Sequence, residues 1–160
     1  MATRWYRSPE LLVKELLYES SVDIWAVGCL LPEMLSGDAL FPGESGKSVL
    51  SHIFFIKLII LDIDQLHLII SVRGYLPKHL VETFYKTPEF YSRRLPEPKH
   101  VPIERHCPIL AGGLWAAKEF IEKCLTMDPD YRPGCAELLQ TDYFNDEEFI
   151  KRKSILQGSD

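Results

Sequence analysis

Two strings constrain this chain more than anything else in it: Ala2-Thr3-Arg4-Trp5-Tyr6-Arg7-Ser8-Pro9-Glu10, then Asp23-Ile24-Trp25-Ala26-Val27-Gly28-Cys29. The first leads into a short helix expected from Pro9 to about Lys14. The second opens a longer one from Ser20 to about Leu35, where Ser20 is placed to cap with Asp23 three residues on. Val22, Trp25, Ala26, Cys29 and Leu30 recur on one face of it. Pro32 interrupts this helix. It lacks an N–H and its ring collides with the carbonyl of Gly28, a cost of about 3 kcal/mol in a helix interior, so a kink or early end is expected. Ser36-Gly37-Asp38 and Pro42-Gly43 close the element and open a loop.

In this order and at this separation, the two strings resemble the protein kinase C-lobe. The first is similar to the end of an activation segment, with Ser8-Pro9-Glu10 where kinases usually read Ala-Pro-Glu. The other resembles the long central helix, with its D-x-W-x-x-G pattern. Thr-Arg-Trp-Tyr-Arg has the flavour of the CMGC group. Leu40-Phe41-Pro42-Gly43-Glu44-Ser45, Asp62-Ile63-Asp64-Gln65-Leu66, Arg94-Leu95-Pro96-Glu97, Ile103-Glu104-Arg105 and Asp128-Pro129-Asp130-Tyr131-Arg132-Pro133 resemble cyclin-dependent-kinase-like proteins. The likeness implies a mainly α fold, the helical C-terminal half of a kinase domain over residues 1–148. An atypical apolar insertion lies at 46–61 and a polar tail at 149–160.

The resemblance also assigns roles. Thr3 and Arg7 would help position a substrate Ser or Thr, and Arg4 and Arg7 would receive an activation-segment phosphate, for which a guanidinium fork is suited. Glu10 and Arg132 would form a buried structural pair, bidentate geometry favouring arginine over lysine. Trp25 and Gly28 belong to the central-helix signature. Asp23 would cap the catalytic loop; without that loop it is expected to be a buried carboxylate lacking its donors, which is costly.

Catalysis by a kinase needs a glycine-rich loop, a strand lysine, a helix glutamate, a His-Arg-Asp loop and the Asp-Phe-Gly aspartate on magnesium. All normally precede the first of the two strings, and neither His-Arg-Asp nor Asp-Phe-Gly occurs in the sequence. No catalytic, cofactor or metal residue is therefore assigned; ATP and magnesium are implied only for the full-length family. The expected reading is a truncated serine/threonine kinase C-lobe, inactive alone. Two alternatives stand beside it: a non-catalytic module that binds protein substrates or regulators of the parent kinase, and a splice or gene-model product without stable function.

The remaining elements follow from periodicity. Asp62 to Val72 reads as a helix with Ile63, Leu66, Ile69 and Ile70 on one side, as does Leu114 to Met127 through Ala117, Phe120, Ile121, Cys124 and Leu125. Cys135 to Thr141 is another. Pro77 to Pro108 is proline-rich and expected to be irregular with short helical turns, and no strand is demanded.

A hydrophobic fraction of 46% excludes a disordered polypeptide, and a net charge of -5 argues against nucleic acid as a main partner. The four cysteines contain no C-x-x-C pair, and His100, His106 and Cys107 lack the spacing and fourth ligand of a metal site. No signal peptide is visible. A cytoplasmic location is expected, with nuclear import through Lys151-Arg152-Lys153 the weaker reading.

Val49 to Leu61 is apolar on every face. It is too short for a spanning helix, which needs about 18 residues, and is interrupted by His52 and Lys57, so it reads as an aggregation hazard and not an anchor. Gly43-Glu44-Ser45-Gly46-Lys47-Ser48 looks like a P-loop, but Phe41 occupies the position of its first glycine. A genetic reading fits better: Gly-Lys-Ser can be encoded by GGT-AAG-TCN, a splice-donor consensus, making residues 46–61 translated intron. Transcripts joining Ser45 to Asp62 would support that hypothesis, and their absence from deep sequencing would sink it.

Overall fold

The computed structural model describes residues 4–43 and 54–145, leaving aside the side chains of 54–58. Seven α-helices run through them: α1 Pro9–Leu12, α2 Ser21–Ser36, α3 Phe54–Arg73, α4 Lys78–Lys86, α5 Trp115–Cys124, α6 Cys135–Leu138 and α7 Asp142–Asn145. Short 3₁₀ turns join them, and among the described residues there is no strand. The described chain is mainly α, as the resemblance implied.

The core is built where the apolar stripes of α2, α3 and α5 converge. Trp25 and Cys29 from α2, Leu66, Ile69 and Ile70 from α3, and Ile121 from α5 are all buried in one cluster. Trp25 stacks on Phe41, with ring centroids 6.3 Å apart and 14° between planes. A satellite cluster of Ile24, Phe120, Cys124 and Leu138 is covered by Tyr143 and Phe144, so α7, which the sequence reading missed, roofs the far side of α5. Gly28 fixes the close approach of α2 to α5, since a Cβ there would stand 2.7 Å from Cys124 Cβ and 2.9 Å from Leu125 Cδ2.

Several expectations are corrected. Pro32 does not end α2, which continues to Ser36. The proline lies in the closing part of the helix, and its own carbonyl accepts from Ser36 Oγ at 2.8 Å. Beyond it, Gly37, with φ +84°, closes the helix by donating to Glu33 O at 2.8 Å. The Ser20 cap is also absent: Ser20 is itself in helical geometry and its side chain makes no capping hydrogen bond. The buried stripe of α2 is Ile24, Trp25, Gly28, Cys29 and Pro32, leaving Leu30 exposed.

Helix α3 begins eight residues before Asp62, so the join between the apolar run and the kinase-like sequence falls inside one helix. Leu61 is buried there. In the proline-rich stretch, α4 is a regular nine-residue helix with Leu80 and Phe84, one turn apart, buried. The extent of the run before Phe54, the P-loop-like Lys47 and the tail at 149–160 lie outside the described residues.

Candidate functional site

The most highly charged constellation forms where α1 meets α3. Asp62 is 1% exposed, and a buried carboxylate is costly unless cations neutralise it. Three do. Arg4 Nε donates to Oδ1 at 2.5 Å, Lys14 Nζ to Oδ2 at 2.6 Å, and Arg7 NH1 lies 3.5 Å from Oδ1. The backbone aims them: Arg7 N–H donates to Arg4 O at 3.0 Å, closing a turn that puts both guanidinium groups on one side. Lys14, just past α1, adopts φ +66°, a left-handed conformation that turns the chain as the helix ends.

Three cations therefore surround one carboxylate, and the side chains of Arg7 and Lys14 remain more than a third exposed. The surplus positive charge, facing solvent, suits a multiply charged anion. Arg4 and Arg7, expected to receive a phosphate, have an internal counter-ion in Asp62. Asp62 was missed as a site residue, although the signal was in the sequence. It sits four and seven residues before Leu66 and Ile69, on the buried face of α3, where a carboxylate needs partners. Thr3, expected to position substrate, lies outside the described residues.

Glu10 and Arg132 meet as expected. NH1 donates to Oε1 at 2.7 Å and NH2 to Oε2 at 3.1 Å, with both side chains essentially fully buried. Arg132 also donates through Nε to Thr126 O at 3.0 Å and through NH1 to Ser21 O at 2.7 Å, and its guanidinium lies 5.2 Å from the Trp25 ring centroid. One side chain thus ties α1, the start of α2 and the end of α5 together. Asp23 is the correction here. It is exposed at the edge of a cavity of about 590 Å³, not buried, so it carries no desolvation penalty.

Neighbouring polar contacts brace these elements. Trp5 Nε1 donates to Gly43 O at 2.7 Å and Gln65 Nε2 to Phe41 O at 3.1 Å, pinning the loop after α2 to the first string. Tyr6 Oη donates to Glu33 at 2.7 Å, and that bond, helped by burial, pushes the phenol up to about 12. Arg73 caps the end of α5 through Glu122 O and Leu125 O, and burial holds its pKa below the usual value. Among the described residues no group of three or more His, Cys, Asp or Glu is placed to hold a metal ion. Among the described residues the cations beside α1 hold Asp62, and Arg132 is committed to Glu10.

This arrangement of helices, with a Pro-Glu helix locked to a distant arginine and a tryptophan-bearing central helix, defines the class. The chain belongs to the protein kinase family, whose domain profile matches residues 1–144. Within that family it is 47% identical over 156 residues to cyclin-dependent kinase-like 2 of Oryctolagus cuniculus and 44% identical over 156 residues to that of Homo sapiens, each alignment covering 96% of the chain. Cyclin-dependent kinase-like 1 of Caenorhabditis elegans is 41% identical over 141 residues, covering 87% of the chain. The chain spans about a quarter of the curated relatives it matches first, 24% of the rabbit protein and 28% of the human one.

Proposed function

We propose that this chain is the helical C-terminal part of a cyclin-dependent-kinase-like serine/threonine kinase domain. The full-length relative transfers the γ-phosphoryl of ATP to Ser or Thr, in a proline-directed manner, and this polypeptide alone does not. The observation that carries the reading is a face of α2. Val27, Leu30 and Met34 are 42%, 43% and 81% exposed, and they follow the exposed Asp23 at helical spacing. An exposed apolar stripe of this kind is poorly suited to water. It suits the packing of a preceding segment carrying the nucleotide-binding and catalytic groups. Trp25 is not part of that stripe: it is buried in the core.

In this reading Arg4 and Arg7, with Lys14, form the receptor for an activation-segment phosphate, and Arg7 and Thr3 shape the substrate site. Partners are protein substrates or regulators of the parent kinase, met in the cytoplasm or nucleus. The open α2 face equally favours a second reading, a non-catalytic module that binds those partners through it. Titration with Mg-ATP and a γ-phosphate transfer assay test the first reading. No binding and no transfer are expected. Micromolar nucleotide binding abolished by Lys47→Ala would overturn it and revive the P-loop-like string.

A further inference from the structure

A second cavity, of about 350 Å³, opens between α3 and the loop that follows the 3₁₀ turn Pro88–Phe90. Its helical wall is Ile60, Ile63, Asp64 and His67, residues spaced three, four and seven apart and so on one face. Ile63 is buried and Ile60 is 38% exposed, which gives an apolar floor open to solvent. The opposite wall is Ser92, Arg93 and Arg94. Ser92 adopts φ +67°, and Arg93 N–H donates to Phe90 O at 2.9 Å, so a closed turn carries the two arginines to the rim.

Two features of this cavity are unsatisfied. His67 Nε2 is shielded from water and has no hydrogen-bond partner among the described residues, whereas buried polar atoms are nearly always paired. Arg93 and Arg94 are exposed, and neither side chain has an ion pair or hydrogen bond among the described residues. Asp64, the one carboxylate in the lining, is exposed and pairs with neither. The balance is two guanidinium groups against one carboxylate around an apolar floor, in a chain whose net charge is -5. Local positive charge on an acidic protein selects for acidic groups, and guanidinium forks match carboxylates bidentately.

We propose that this cavity docks a short acidic segment of a partner protein: an apolar side chain rests on Ile60 and Ile63, and flanking carboxylates engage Arg93 and Arg94. The site needs neither ATP nor the α2 face, so it stands or falls separately from the kinase reading.

The test is fluorescence anisotropy of a labelled Glu-Glu-Phe-Glu-Glu peptide with the full chain, taken from its monomeric fraction. Saturable binding is expected, weakened about tenfold or more by the paired substitutions Arg93→Glu and Arg94→Glu, which remove the charge-assisted contacts. Ile60→Glu should weaken it comparably, and Lys-Lys-Phe-Lys-Lys should not compete. All three altered residues are exposed, and unchanged circular dichroism confirms that the variants are folded. Equal affinity in the arginine variant, equal binding of the lysine peptide, or no binding at about millimolar peptide would overturn the proposal. So would binding of a phosphoserine-flanked peptide in the absence of any for the glutamate peptide, which would mark a phosphate site instead.

Discussion

Replacing Arg132 with leucine is the most demanding test of the scaffold, because the residue holds three segments at once. Its guanidinium makes two bonds to Glu10, at 2.7 and 3.1 Å, and one each to Thr126 O and Ser21 O. Both side chains of the pair are out of water. Removing the cation leaves a buried carboxylate unneutralised, a loss of about 3–5 kcal/mol, and it frees two backbone carbonyls whose lost partners add to the penalty without summing simply. Against a total stability of about 5–15 kcal/mol for a small domain, Arg132→Leu should leave the chain largely unfolded or shift its urea midpoint by about 1 M or more. Arg4→Leu sits between this variant and a neutral surface change. Arg4 bonds buried Asp62 at 2.5 Å, but Lys14 at 2.6 Å and Arg7 at 3.5 Å remain to neutralise it. Arg105, exposed and without a side-chain partner among the described residues, supplies the neutral comparison as Arg105→Leu. Urea denaturation followed by circular dichroism orders the three. Matching midpoints for Arg132→Leu and Arg105→Leu would mean that the kinase-like scaffold is not the one the polypeptide adopts in solution.

Asp62→Asn should lower stability while increasing the upward shift of the urea midpoint produced by inorganic phosphate, since three cations then lack their counter-ion; an unchanged response to phosphate would refute the surplus-charge reading. Gly28→Val should destabilise by about 1–3 kcal/mol, because the contact with Cys124 Cβ and Leu125 leaves no room for a branched side chain; thermal denaturation reads the loss directly. Val27→Glu with Met34→Lys should raise the monomer yield on size exclusion without loss of helix content, and a drop in helicity would show that this face is covered within the chain. Removing residues 46–53, which stops short of buried Leu61, should also improve recovery if the apolar run drives association; equal yields would count against it.

The long helices were legible because their apolar residues keep a clean period against polar neighbours: Ile63, Leu66, Ile69 and Ile70 on α3, and Ala117, Phe120, Ile121 and Cys124 on α5, are all buried where the spacing placed them. Where contrast fails, the reading fails too. Phe54 to Leu61 is apolar on every side and so has no period, yet it simply lengthens α3. Helix α4 lies between Pro77 and Pro88 with only Leu80 and Phe84 as buried anchors, too short a stripe to stand out among prolines that in fact bound it. Pro32 was weighed by its local cost, a lost hydrogen bond and a ring clash, but Leu31 and Leu35 pack on the core and carry the helix past it.

The site divides the same way. Glu10 and Arg132 could be paired because two fixed strings name them, whereas the partner of Arg4, Arg7 and Lys14 depended on which turn of α3 faces α1. That was still readable in part: a carboxylate on the apolar face of an amphipathic helix cannot be buried without cations, and the first string carries two of them. Asp62 therefore links the two levels of the chain, since the charge that orders Arg4 and Arg7 also fixes the register of α3 against α1. An anion reaching that cluster from outside has to compete with a carboxylate the fold itself requires, so anion binding and the docking of α3 are energetically coupled.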